Sequence, residues 1–269
     1  MAASSSRTSK IARARRGRDS GMVPFVGGQN LTSGILENLG VAIVTGKFTK
    51  NNPFPVEAEL CNRYGASRSI LREAVKMLTA KGLLRARPRQ GTRVLPEAQW
   101  NLLDPDVLRW LLERKFSPSL LIEFTQIRLA VEPEAAALAA RVAGPAEKAA
   151  IQSAIQRMLA AERGEDEPLD SDIAFHVAVL NASGNRFYAQ LSELIESALR
   201  FSIKLTNRYK GVRLASVADH KKVADAVIAG EPVRAAAAMR NLIQEALDLI
   251  ETERAGTFSP ELQRRSRGL

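Results

Sequence analysis

The chain has a single cysteine, Cys61, in 269 residues, so no intramolecular disulfide framework can staple it. The place of Cys61 on an apolar helix face fits a small buried hydrophobe better than a reactive thiol. No run approaches the ~20 apolar residues that a membrane span requires. The arginines near the N-terminus are followed by no apolar core, so the start does not read as a secretory signal, and a cytoplasmic protein is expected. Aromatic residues make up only 5% of the chain, two of them tryptophans, whereas alanine is abundant. Helices packed closely through small side chains are the natural outcome. Neither an internal repeat nor a phosphate-cradling glycine motif is present.

Positive charge is plentiful and unevenly placed. The net charge is +10, yet residues 1–98 hold 17 Lys and Arg against 6 Asp and Glu, while residues 99–269 hold 22 against 23. A chain of this length can bury more than one core, so two domains are expected. A basic module joined to a near-neutral one fits an electrostatic footprint for DNA beside a separate sensing or assembly domain. Residues 1–28 carry Arg7, Lys10, Arg13, Arg15, Arg16 and Arg18 among Ser, Ala and Gly, and read as a flexible basic arm. Residues 257–269 read as a polar, basic tail.

Residues 29–98 carry the clearest motif. Apolar residues from Leu31 to about Thr45 indicate a first helix that Gly46 ends. A second helix is expected to open at Pro55, carry Glu57 and Glu59 in its first turns, and stop at Gly65, which permits a left-handed turn. Ser67 then caps a third helix. On it Leu71, Ala74, Val75 and Leu78 form one inward stripe, while Arg68, Ser69, Arg72, Lys76 and Thr79 project from the other side. Segments 83–87 and 92–95 read as strands around Pro88, Arg89, Gln90 and Gly91, a turn whose basic tip suits a phosphate backbone or a minor groove. Helix, turn, helix and basic hairpin follow without a gap, which is the order of a winged helix-turn-helix. Taken alone, Arg68, Arg72 and Lys76 also fit an ordinary solvated helix face.

Residues 99–105 read as a linker between domains, bracketed by Trp100 and Trp110, and a helix follows from Pro105 or Asp106. Beyond it only helical periodicity remains. Gly and Pro breaks divide it into helices at 117–142, 146–163, 168–182, 186–207, 213–229 and 232–254, so residues 106–256 form an all-helical bundle.

Only two histidines occur, His176 and His220, both in this bundle. Asp172 precedes His176 by four residues, which puts carboxylate and imidazole one turn apart on one helix face. The pair suits one side of a metal site or an ordinary surface hydrogen bond, and His220 joins only if the fold brings it close. Arg128 and Arg200 each lie in an apolar stretch. Each can pair with an acid, such as Glu132 or Glu196, or clamp a ligand carboxylate bidentately.

The 55–94 stretch, with Pro55, Glu57, Leu60, Gly65, Ser67, Arg68, Leu71, Arg72, Glu73, Ala74, Leu78, Gly82, Leu83 and Gly91 in register, closely resembles the winged helix of GntR-superfamily transcription factors. The helical remainder resembles the FadR-like branch with its FCD effector domain. The resemblance implies that Arg68 and Arg72 contact DNA; Ala58 stands where some members have a further base-contacting arginine. It also implies a divalent metal, zinc or similar, held by Asp172, His176 and His220 beside the effector. Leu242 stands at the apparent fourth-ligand position, leaving three protein ligands. The segments PVEAELC, QWNLLDPDVLRWLLE and IRLAVEP look most like sugar-acid regulators of the galactonate-repressor type. A sugar-acid effector, with Arg128 as its carboxylate clamp and Arg200, Ser202 and Asn207 as further contacts, is the corresponding expectation.

The function expected is a homodimeric, metabolite-responsive repressor that reads a palindromic operator. Arg68, Ser69, Arg72 and Lys76 would lie on DNA with the wing residues Arg87, Arg89, Gln90 and Gly91. Two other readings compete: a metal-dependent enzyme in which Asp172, His176 and His220 activate water, and an architectural DNA-binding protein that senses nothing.

Overall fold

The structure, a computed structural model, describes residues 31–49, 51–87, 91–114, 118–210 and 216–254, with all side chains in these spans except those of residues 87, 113–114, 118, 204–210 and 253–254. The N-terminal arm, Arg89, Gln90 and the C-terminal tail lie outside these residues.

Helix α1 spans Leu31–Val44, and Gly46 follows it with φ 70°. Helix α2 spans Glu57–Tyr64. It does not open at Pro55: Val56 is the extended residue before the helix, φ −73° and ψ 157°, and its carbonyl accepts the first helical bond from the Leu60 N–H at 3.2 Å. Proline therefore leads the chain in one residue ahead of the cap. Gly65 ends α2 in the left-handed region, as its missing Cβ allows. Ser67 then caps α3, Arg68–Ala80, its Oγ accepting from the Ile70 N–H at 3.4 Å. Leu71, Ala74 and Leu78 are buried and Val75 half-buried, leaving Arg68, Ser69, Arg72, Lys76 and Thr79 exposed. Strands β1, Leu84–Arg87, and β2, Gly91–Val94, pair antiparallel with Leu84 opposite Val94 and Arg87 opposite Gly91. Cys61 is only half-buried, packed at the edge of this core rather than within it.

Helix α4, Pro105–Arg114, changes the picture of the junction. Asp104 caps it, Oδ1 accepting from the Asp106 and Val107 N–H groups at 3.0 and 3.2 Å. One face of α4 (Val107, Trp110, Leu111) belongs to the winged-helix core, and the opposite face (Leu108, Leu112) belongs to the core of the helical bundle. Trp110 is fully buried against Gly40 of α1, where a Cβ would lie 2.4 Å from the indole. Lys81, just past α3, donates to both Asp104 oxygens at 2.8 Å and to Asp106 at 2.9 Å. Arg109 grips Glu37 of α1 bidentately at 2.7 and 2.6 Å. Within 99–105, Asp104 and Asn101 are thus tied to Lys81, and α4 is shared by two cores.

The remainder is helical: α5 Pro118–Val142, α6 Pro145–Glu162, α7 Pro168–Ala182, α8 Arg186–Gln190, α9 Ser192–Lys210, α10 Val217–Ala229 and α11 Pro232–Arg254. The single helix expected over 186–207 is two, because at Leu191 the backbone tightens into a turn whose N–H reaches the Tyr188 carbonyl, three residues back. Helix α5 packs along α11 and touches α7 and α10, so its middle lies at the heart of the bundle. Within it Pro133 has no N–H to give the Leu129 carbonyl, and α5 lacks one rung beside Glu132.

Candidate functional site

Two regions carry unspent chemistry. The first is the outer face of α3, where the Arg68, Arg72 and Lys76 side chains are 77%, 66% and 77% exposed. Arg72 Nε donates to Glu57 Oε2 at 3.0 Å, and Arg68 Nε lies 3.9 Å from Glu57 Oε1. Beside α3 stands the hairpin, with Gly91 in the left-handed region (φ 79°) at the start of β2 and Arg85 directly opposite Arg93. Arg87 ends β1; the expected tip residues Arg89 and Gln90 are not among those described.

The second region is buried between α5, α7 and α10. Asp172 and His176 of α7 meet His220 of α10, and one ligand atom from each lies within 4.8 Å of the others. Asp172 Oδ1 is 3.4 Å from His176 Nε2 and 3.2 Å from His220 Nε2. Both imidazoles are oriented from behind. His176 Nδ1 meets Glu132 Oε2 at 2.5 Å, and His220 Nδ1 meets the Ser216 carbonyl at 2.8 Å. A carbonyl oxygen can only accept, so His220 donates from Nδ1 and turns Nε2 toward the Asp172 carboxylate. One carboxylate and two imidazoles converge there, a set of side chains that can ligate a divalent cation. An imidazole backed by a carboxylate or carbonyl is also the usual outer arrangement of a metal-binding histidine. Phe175 packs edge-on against both rings, 5.6 Å from His176 and 5.0 Å from His220. The donor set therefore fits a single divalent ion.

Charges around the cluster are strongly coupled. Burial would raise the Glu132 pKa, but the Arg128 and His176 charges outweigh it and hold it at about 2. Asp172 is likewise raised by burial and pulled well below the ordinary carboxylate range by His220 and His176. Burial depresses His176, whereas the Glu132 carboxylate more than compensates and keeps it above the ordinary imidazole value.

Arg128, 3% exposed, donates through Nε to Glu132 Oε1 at 2.5 Å, and its Nη2 lies 3.4 Å from both His176 ring nitrogens. Its Nη1 donates to none of the described residues. Ser202 is buried on α9, whereas Arg200 is exposed and paired with Asp170 at 2.7 Å and Glu196 at 2.9 Å. The structure thus joins Arg128 to the metal-type cluster and leaves Arg200 in a surface ion-pair network. Asn207 lies in α9, its side chain outside those described. Leu242, at the apparent fourth-ligand position, is half-buried and packs against the bundle core with Met239 and Ile243. Sequence reasoning named Glu132 only as an ion-pair partner; an acid four residues after Arg128 in an apolar helix was the available signal, but not its contact with His176.

A basic winged helix fused to a helical bundle with a buried ligand-type cluster defines a DNA-binding regulator with a sensing domain. Comparisons with known proteins agree. Residues 31–94 match the gntR family of bacterial regulatory proteins and residues 123–245 match the FCD domain. The galactonate operon transcriptional repressor of Escherichia coli is 37% identical over 199 residues, 74% of this chain and 87% of the relative. YieP, an uncharacterised HTH-type transcriptional regulator of Escherichia coli, is 34% identical over 63% of this chain and 74% of its own length. The solved structure of Lar, which controls expression of the Listeria monocytogenes agr system, aligns with a TM-score of 0.54 over 84% of this chain and 98% of that one. At 18% identity that likeness shows the fold alone. The chain belongs to the gntR family of bacterial transcriptional regulators and carries an FCD domain.

Proposed function

We propose that this regulator represses genes of sugar-acid catabolism and is released from DNA when an aldonate-type acid binds its helical domain. The observation that carries the reading is Arg128: a buried guanidinium whose Nη1 donates to none of the described residues, touching the Asp172, His176 and His220 cluster through His176. Such an N–H edge beside a divalent-ion site suits a hydroxy carboxylate, and the similarity to a galactonate operon repressor supports the same class. Asp172, His176 and His220 would hold the ion, zinc or a similar cation, as three protein ligands. The ion would supply a Lewis-acidic anchor for the effector's carboxylate and hydroxyl oxygens. Arg128 clamps the carboxylate, Ser202 and Asn207 add contacts from α9, and Arg200 joins only if its pairing with Asp170 and Glu196 opens.

Residues 29–98 form the reading unit and 106–256 the sensing unit, with α4 connecting them. Two copies act as a homodimer on a palindromic operator in the cytoplasm, placing Arg68, Ser69, Arg72 and Lys76 in the major groove and Arg87, Arg89, Gln90 and Gly91 on the backbone or minor groove. The sensing reading is tested by thermal unfolding with aldonates, uronates, lactate and fatty acyl compounds, each with divalent metal or with chelator. One sugar acid should raise the Tm, and chelation or His176→Ala should abolish the rise. No shift from any acid in the presence of metal would leave a DNA-binding protein that senses nothing of this class.

A further inference from the structure

We propose that Glu57 determines DNA specificity: from the first turn of α2 its one carboxylate holds Arg68 and Arg72 of α3 in a fixed fork, making it a positioning residue of the reading face. This rests on the reading of α3 as the helix that enters the major groove.

The geometry uses one particular edge of each guanidinium. Glu57 meets Arg72 through Nε at 3.0 Å, and Nε is also the Arg68 atom nearest to it, at 3.9 Å. The terminal nitrogens of both arginines, on side chains 77% and 66% exposed, donate to none of the described residues. Those are the paired donors with which a guanidinium reads the two acceptors on a guanine edge. Two acids occupy the first turn of α2, Glu57 and Glu59, and both suit the positive end of the helix. Among the described residues only Glu57 reaches the recognition arginines. Helix electrostatics therefore explains either acid, whereas orientation of Arg68 and Arg72 explains Glu57 alone.

A carboxylate on a DNA-facing surface repels phosphates and so lowers affinity for every sequence. Against that cost it restricts two long side chains that would otherwise sample many rotamers, and the ordering entropy is met before DNA arrives. The inferred trade is weaker binding to DNA in general for sharper choice among sequences.

The two effects separate experimentally because they have opposite signs. The full chain is used to enrich a duplex from a random-sequence pool, and affinity is measured for that duplex and for a scrambled one of equal length. In Glu57→Gln, affinity for the scrambled duplex should rise, while the ratio of the two affinities falls about tenfold, within the range for losing one well-aligned bidentate contact. Glu57→Asp keeps the charge but withdraws it by a methylene, so the ratio should fall with little change on scrambled DNA. Glu59→Gln should raise both affinities and leave the ratio intact. A ratio in Glu57→Gln and Glu57→Asp equal to wild type, with Arg72→Ala still losing the selected duplex, would overturn the positioning role alone. If Arg72→Ala loses nothing, the reading of α3 fails and the proposal fails with it.

Discussion

Glu132 Oε2 stands 2.5 Å from His176 Nδ1, so a fully buried carboxylate on α5 fixes the ring that α7 offers to Asp172 and His220. The same carboxylate takes Arg128 Nε at 2.5 Å through its other oxygen. Glu132 thereby ties the ligand-type cluster to the arginine proposed to clamp the effector. Neither side can shift without the other.

This linkage makes Glu132→Gln informative. The amide keeps the shape but removes the charge that orients His176, and the affinity for a divalent ion should fall about 10- to 100-fold, the usual effect of losing an outer-shell partner. Competition with a chromophoric chelator measures it. Unchanged affinity would mean that Glu132 serves only to neutralise Arg128.

At Gly40 the backbone of α1 lies directly against the Trp110 ring of α4. A Cβ there would meet the Trp110 ring at 2.4–2.6 Å, and a fully buried indole has nowhere to retreat. Gly40→Ala should therefore destabilise the winged helix by roughly 1–3 kcal/mol, the usual cost of overpacking, despite alanine's better helix propensity. Chemical denaturation followed by circular dichroism reads this, and a stabilised variant would show that α1 and α4 are free to separate.

The junction should loosen in acid. Burial raises the Asp106 pKa, but hydrogen bonds from Lys81 and Arg109 outweigh burial and lower it; Glu37 is lowered in the same way by Arg109. Groups with depressed folded-state values contribute stability above their unfolded pKa, about 4, and lose it as pH falls below that. Lys81 and Arg109 sit 5.9 and 5.8 Å from the Trp110 ring, and Trp100 donates to the Leu95 carbonyl at 2.9 Å, so both tryptophans of the chain report on this region. Intrinsic fluorescence should change as pH falls below about 4, through the depressed folded-state values, ahead of global unfolding. In Asp106→Asn the change should be reduced, because part of it has already been removed at neutral pH. Fluorescence constant down to the unfolding transition would contradict this account of the junction.

Local signals explain what was legible in the sequence. Gly65, Ser67 and the stripe of Leu71, Ala74 and Leu78 act through the backbone and helical period of their own segment, and each appears in the structure as read. Asp172 and His176 were paired by the helical repeat, whereas His220 arrives from α10, 44 residues later, by packing alone. The dual membership of α4 was hidden for a related reason. Its apolar residues surround more than one stripe, and periodicity cannot tell which face meets which core. Pro55 misled because proline suits both the first helical position and the extended residue leading into a cap. Val56 takes the cap, and proline's absence of an N–H does not decide between the two.

The central claim, that a small acid in the helical domain governs DNA binding, is tested most directly by one titration. A labelled fragment of the DNA upstream of the coding region is titrated with the full chain in saturating divalent metal, with and without D-galactonate and related aldonates, and followed by fluorescence anisotropy. With one of these acids the Kd for DNA should rise about 5- to 150-fold, the ordinary span of allosteric coupling, and Arg128→Ala should abolish the rise. The same Kd with and without every acid, on DNA that the protein binds specifically, would contradict it.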